Sequence, residues 1–351
     1  MRRVLVSLSI FMFLQYTFAA TLPPVGAGSA EIALKWIKNY RAKPEPAAVP
    51  LLIKALSKQG SIKDPESTGV YTGFFAGVLH ANPAKSWSLI EKTLPLPFED
   101  QWIVIRAVAY SGLPDWKEQM QKLALRLPNR KVMAERYISG DLPPLNQVSL
   151  ESSKPGSMDK VKSFFTGDMF FGKKDKHPKR LVTFETSPEL IDALWGVYFA
   201  TGSEGAIAQI VVLLPWSKDR DNVQKLTIGS MAKFTLASNA ARDAELLRVL
   251  KHLQEGQPKD VKPILAEVIE AAELVDTGRL GKEAVAALEE LKKKGPGSTR
   301  DLMSWGAAGE AALSFGCLGL AVVGQVVAGV PCVVGGALST GALRYLGQSS
   351  Q

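Results

Sequence analysis

Histidine and cysteine are scarce in this chain, three and two residues respectively out of 351. That scarcity limits its chemistry. His80, His177 and His252 stand apart, and none has metal-ligand spacing to another histidine or to a cysteine, so capping, solvation or packing accounts for them better than ligation. No Gly-x-Ser-x-Gly elbow is present to expose a serine nucleophile. Gly26-Ala27-Gly28 fails as a phosphate loop, because no strand precedes it and no third glycine follows. Adjacent carboxylates such as Glu99-Asp100 and Glu289-Glu290 do not share a helix face and read as solvated surface. Neither catalytic residues, a metal nor a cofactor is expected. A single buried carboxylate leaves no trace in a sequence, so a glycan-cleaving hydrolase on a helical solenoid stays open as a minor reading.

A strong excess of one charge is also lacking. The formal net charge is +8, and removing Arg2 and Arg3 leaves +6, 40 basic residues against 34 acidic ones. This excess suits an anionic membrane surface or an acidic partner only weakly. Nucleic acid is not an expected partner, because the basic residues are dispersed and no nucleic-acid motif appears.

Arg2-Arg3, the uncharged run from Val4 to Phe18 and the small-x-small Thr17-Phe18-Ala19 have the layout of a secretory signal peptide. Residues 1–19 are therefore assigned to export, toward a bacterial periplasm or cell envelope. The run is short for a bilayer span, and an uncleaved anchor is the alternative. No cysteine sits at the cut, which argues against a lipoprotein.

Most of the remaining chain reads as helical pairs. Pro188 suits the first position of a helix and Glu189 complements its positive end, after which Ile191, Leu194, Trp195 and Tyr198 form one apolar stripe. Gly202 can end that helix in the left-handed conformation. Ser203 and Glu204 then open a second, with a stripe at Ile207, Ile210, Val211 and Leu214. Similar pairs begin at Phe74, Ile105 and Met231, the last with its turn at Ser238-Asn239. Two earlier stripes lie at Ala33, Trp36, Ile37, Tyr40 and at Val49, Leu52, Ile53, Leu56; later ones lie at Val261, Ile264, Leu265, Val268 and at Val285, Leu288, Leu291. Units that cannot bury their faces alone point to an all-α fold of irregular helical-hairpin repeats, α-solenoid-like. An ordinary helical domain with well-capped helices is the alternative.

The expected organisation is helical repeats over 20–140, a linker and basic loop over 141–186, and a second helical region over 187–294. Within the linker, apolar arms around Phe170-Phe171 and Leu181 to Phe184 flank a charged tip and suggest a β-hairpin. Its Lys173, Lys174, Lys176, Lys179 and Arg180 are candidate contacts for anionic lipid or an acidic protein. A solvated loop accounts for the same charge run.

Residues 295–351 differ in kind. No charged residue occurs from Ala311 to Leu343, and small residues recur through Gly316, Gly324, Ala328, Gly335, Gly336 and Gly341. Such spacing lets helix backbones approach closely, in a membrane or in a self-associating bundle. Cys317 and Cys332 are expected to pair in an oxidising compartment, which places a helical turn near Gly324-Gln325; a turn at Gly329 to Pro331 would exclude the bridge. A re-entrant hairpin, one tilted span and a soluble helix pair all fit. The leading expectation is thus an exported, non-catalytic helical scaffold or interaction protein, with an unknown protein partner, a membrane surface or a second copy of itself as its contacts. The alternative makes the C-terminal hairpin a membrane-inserting element.

Overall fold

The computed structural model describes residues 30–65, 68–145, 148–149, 182–183 and 188–275, with further positions at 279–280, 282–283, 286–287 and 290. The fold is all-α. The first seven helices are α1 (Ala30–Asn39), α2 (Val49–Lys58), α3 (Gly69–Ala81), α4 (Ser86–Thr93), α5 (Trp102–Tyr110), α6 (Trp116–Arg126) and α7 (Lys131–Ser139). After them come α8 (Pro188–Thr201), α9 (Glu204–Val211), α10 (Val223–Ala240), α11 (Ala244–Gly256) and α12 (Lys262–Glu273). Helix lengths range from 8 residues in α4 to 18 in α10, so no fixed period is visible.

Proline punctuates the first half as its covalent geometry dictates. Pro46, Pro83 and Pro128 each open a single 3-10 turn that runs directly into α2, α4 or α7. The fixed φ suits that position, and the missing N–H would have had no partner there. In the second half, side chains do this work. Ser203 caps α9 by accepting from the Ala206 amide at 3.3 Å, and Gly202 turns the chain with φ +71°. The turn expected at Ser238-Asn239 falls later: α10 runs on to Ala240, and Asp243 caps α11 by accepting from the Leu246 amide at 3.1 Å.

Helices α3 and α8 lie side by side at the centre, and both are buried around almost their whole circumference. What brings them together is the absence of side chains. A Cβ on Gly73 would collide with the carbonyl oxygen of Ala193, and one on Gly196 with the backbone of Val70 and Phe74. Gly69, Gly73 and Gly77 recur every fourth residue along α3; Gly69 faces Glu189 and Asp192 of α8, Gly73 faces Ala193 and Gly77 faces Ala200. Backbone approach of this kind is familiar between membrane helices. Here it forms the middle of the protein core. Around it, Tyr40 meets Phe74 edge-on at 4.9 Å between ring centroids, and Trp195 donates to Thr235 Oγ1 at 3.1 Å. These contacts draw the 3-10 turn after α1 and helix α10 onto the central pair.

The remaining helices pack outward. α5 lies against α3, α6 and α7 cover α5, and α11 and α12 flank α10. Val148–Ser149 pairs in parallel with Val182–Thr183, so one arm of the expected hairpin pairs upstream of the basic tip; the other arm lies outside the described residues. Among the described residues, no helix is long and apolar enough to cross a membrane.

Candidate functional site

Among the described residues, polar groups reach into the helical body, and four clusters of them join segments distant in sequence. The first centres on Asp243. Its Oδ2 accepts from Arg41 Nη2 at 2.5 Å and from the Tyr198 hydroxyl at 3.1 Å, while the Arg41 guanidinium lies 4.3 Å from the centroid of the Tyr198 ring. Burial raises the Tyr198 pKa; Arg41 opposes that shift and Asp243 reinforces it. The phenol therefore stays protonated and serves as a donor. Nearby, burial lowers the Lys38 pKa to about 8, aided by the charge of Arg242.

The second cluster is the ion pair of Arg106 on α5 with Glu189 in the first turn of α8, where a carboxylate also complements the helix dipole. Burial alone would lower the Arg106 pKa, but Glu189 and the neighbouring Tyr137 and Tyr110 outweigh it and the net shift is upward. The rings of Tyr110 and Tyr137 meet edge-on at 6.3 Å, and burial raises both phenols. In the third, Ser57 donates to Asp100 Oδ2 at 2.5 Å, joining the end of α2 to the approach to α5. Asp100 is only 1% exposed, which corrects its expected place on the surface. In the fourth, Glu267 accepts from Lys233 at 2.6 Å and from Lys218 at 3.3 Å. Burial would raise the Glu267 pKa, but the two lysines pull it below the usual carboxylate value.

Chemically, these are ties. Asp243, Glu189 and Glu267 each face a cation, and Asp100 faces a hydroxyl. His80 closes α3, with its pKa lowered by burial, while His252 lies on the exposed face of α11, 3.5 Å from Glu204. Among the described residues, no group of three or more histidine, cysteine or carboxylate side chains is placed to hold a metal ion.

A different surface forms where α6 turns into α7. Leu125 is 84% exposed, Val132 71% and Phe98 52%, and all three flank the Pro128–Arg130 turn. Arg130 binds this corner together: its guanidinium stacks on Phe98 at 4.3 Å and donates to the Phe98 carbonyl at 2.7 Å. Beside it, Lys122 and Arg126 lie over the Trp87 ring at 5.5 and 5.7 Å. The segment Trp116 to Ser139 carries six basic residues against two acidic ones. Sequence reading passed over this corner. Its signal was Leu125, which falls off the buried α6 stripe of Met120, Leu123 and Leu127.

The site residues expected from sequence fall elsewhere. Lys173, Lys174, Lys176, Lys179 and Arg180, the cysteines Cys317 and Cys332, and Gly316, Gly324, Ala328, Gly335, Gly336 and Gly341 all lie outside the described residues, as does the expected signal segment 1–19. Comparison with known proteins returns no family model, no curated protein and no solved structure that matches this chain.

Proposed function

We propose that this chain is an exported, non-catalytic helical scaffold that works by surface contact at the cell envelope. One observation carries the reading: the inner ionic groups are spent on ties between helices, whereas large apolar side chains stand exposed in a basic surface at the α6–α7 corner. Exposed apolar side chains that stand together, as Leu125, Val132 and Phe98 do around one turn, support a contact surface. The leader-like residues 1–19 and the uncharged C-terminal run agree with an envelope location. On this reading the helical pairs act as degenerate repeats whose outer faces are free to bind.

The test is fractionation of the native exported protein, intact and truncated before Ala307, with carbonate and detergent washes, combined with photo-crosslinking from position 132. Retention in the envelope fraction with a discrete adduct is expected. A freely soluble monomer without adducts in both forms would overturn the reading.

A further inference from the structure

We infer that the α6–α7 corner docks on an anionic bilayer surface, with Leu125 and Val132 entering the interface and the surrounding arginines and lysines meeting lipid phosphates. This deepens the envelope reading and rests on it.

Three observations point to lipid rather than to a protein groove. First, a side chain 84% exposed, as Leu125 is, protrudes and does not line a concavity that could receive a partner helix. Val132 protrudes in the same way on the other side of the turn. Second, the corner offers cations: Lys122, Arg126, Arg130 and Lys131 lie around the turn, within a segment from Trp116 to Ser139 that carries six basic residues against two acidic ones. Basic side chains near an anionic leaflet are attracted to its surface potential. Third, exposed Glu99 lies beside Phe98, and the ion pairs at this corner are exposed ones, Glu91 with Arg126 at 3.0 Å and Glu135 with Lys131 at 3.7 Å. Such pairs contribute little and exchange readily for phosphate. Phe98 under the Arg130 guanidinium supplies an aromatic shelf at the same level. Lysine and arginine stems can cover apolar surface while their heads stay at the headgroups, so protruding leucine and valine among them suit a shallow insertion.

The experiment uses the full mature chain with vesicles of phosphatidylglycerol or of phosphatidylcholine, comparing the native protein with Leu125→Glu/Val132→Glu. Both positions are exposed, and circular dichroism checks that the variant stays folded. A second variant neutralises Lys173, Lys174, Lys176, Lys179 and Arg180, and so separates the corner from the basic loop. Expected is preferential binding to phosphatidylglycerol that weakens with salt and falls about tenfold or more in the corner variant. Preference for the anionic vesicle that survives in the corner variant, or that vanishes only in the loop variant, overturns the inference. So does equal binding to both vesicles, which would place the contact on the uncharged C-terminal run. Absence of vesicle binding together with a discrete photo-adduct from position 132 would assign the corner to an acidic protein instead; that outcome ends the lipid inference and leaves the envelope reading standing.

Discussion

The central pair α3–α8 and the outer pair α6–α7 solve the same packing problem in opposite ways. In the central pair the closest approaches run through glycines, Gly69, Gly73 and Gly77 of α3 and Gly196 of α8, and burial extends around both helices. In the outer pair one stripe is buried, Met120 and Leu123 on α6 and Ala134 and Tyr137 on α7, while the opposite face carries charge and protruding Leu125 and Val132. A helix touched on all sides gains from close backbone approach, which maximises contact with each neighbour. A helix touched on one side has no such constraint, and its free face can serve a partner. Small residues at every fourth position therefore report crowding and do not by themselves report a membrane.

The largest test of this contrast is Gly73→Ala. Intrinsic propensity favours alanine over glycine in a helix by about 1 kcal/mol. Against that stands the collision of the new Cβ with the Ala193 carbonyl oxygen, a backbone atom that cannot rotate away. Overpacking of this kind costs about 3 kcal/mol, so the net effect is destabilising and opposite in sign to propensity. Urea unfolding of native and variant proteins gives the difference directly. A stabilised variant would mean that α3 and α8 are not in backbone contact.

Glu189→Gln comes next, because its partner couples the two regions: Arg106 leans on Trp102 at 5.1 Å and lies beside Tyr137 of α7. Removing the carboxylate leaves a largely buried guanidinium without its counter-charge; partial exposure of both side chains lets water offset much of the penalty of a fully buried pair, leaving a cost of about 1.5 kcal/mol. Arg106→Met together with Glu189→Gln should recover part of that loss. A double variant no better than the single one would show that the ion pair does not set the cost.

Stability should also depend on pH in a direction that can be worked out. Lys38 has its pKa lowered from 10.5 to about 8, so below pH 8 the folded state bears the full penalty of a buried ammonium. Between about 8 and 10.5 the unfolded chain holds that proton and the folded chain does not, and stability rises. Tyr40 acts in the opposite sense. Its pKa is pushed up from 10.0 to about 12, chiefly by burial and also by Glu45, so above pH 10 the unfolded chain ionises first and stability falls. The melting temperature should therefore climb from pH 8, peak near 10 and then drop. In Lys38→Met the climb should disappear and the drop remain; an unchanged climb would remove Lys38 as its cause.

These regions were not equally legible in the sequence. α8 and α9 could be read because Glu189, Gly202 and Ser203 carry local instructions for starting and stopping helices. α3 was legible only from Phe74 onward. Its first turn, from Gly69, is apolar on every side and rich in glycine, so neither period nor propensity marks it, and only the partner α8 explains it. The end of α10 was misplaced because Asn239 resembles a terminating residue, whereas the cap belongs to Asp243, held in place by Arg41 from the other end of the fold. α7 escaped notice because only Ala134 and Tyr137 on it are fully buried. Asp100 looked solvated because its hydroxyl partner, Ser57, lies 43 residues away. In each case the missing term is a tertiary contact, which local pattern does not encode.

The smallest effect expected on stability, and the sharpest test of the outer pair, is Leu125→Ser with Val132→Thr. Replacing a buried leucine typically costs 2–5 kcal/mol, but a side chain already 84% exposed has little transfer free energy left to lose. Serine and threonine lower helix propensity by a few tenths of a kcal/mol each, so the summed loss should be about 0.5 kcal/mol. Urea midpoints should almost coincide. A loss above about 2 kcal/mol would mean that these side chains pack against the chain itself, and the α6–α7 corner would then be part of the core. Near-identity would leave their exposure without a role in folding, as the docking of this corner requires.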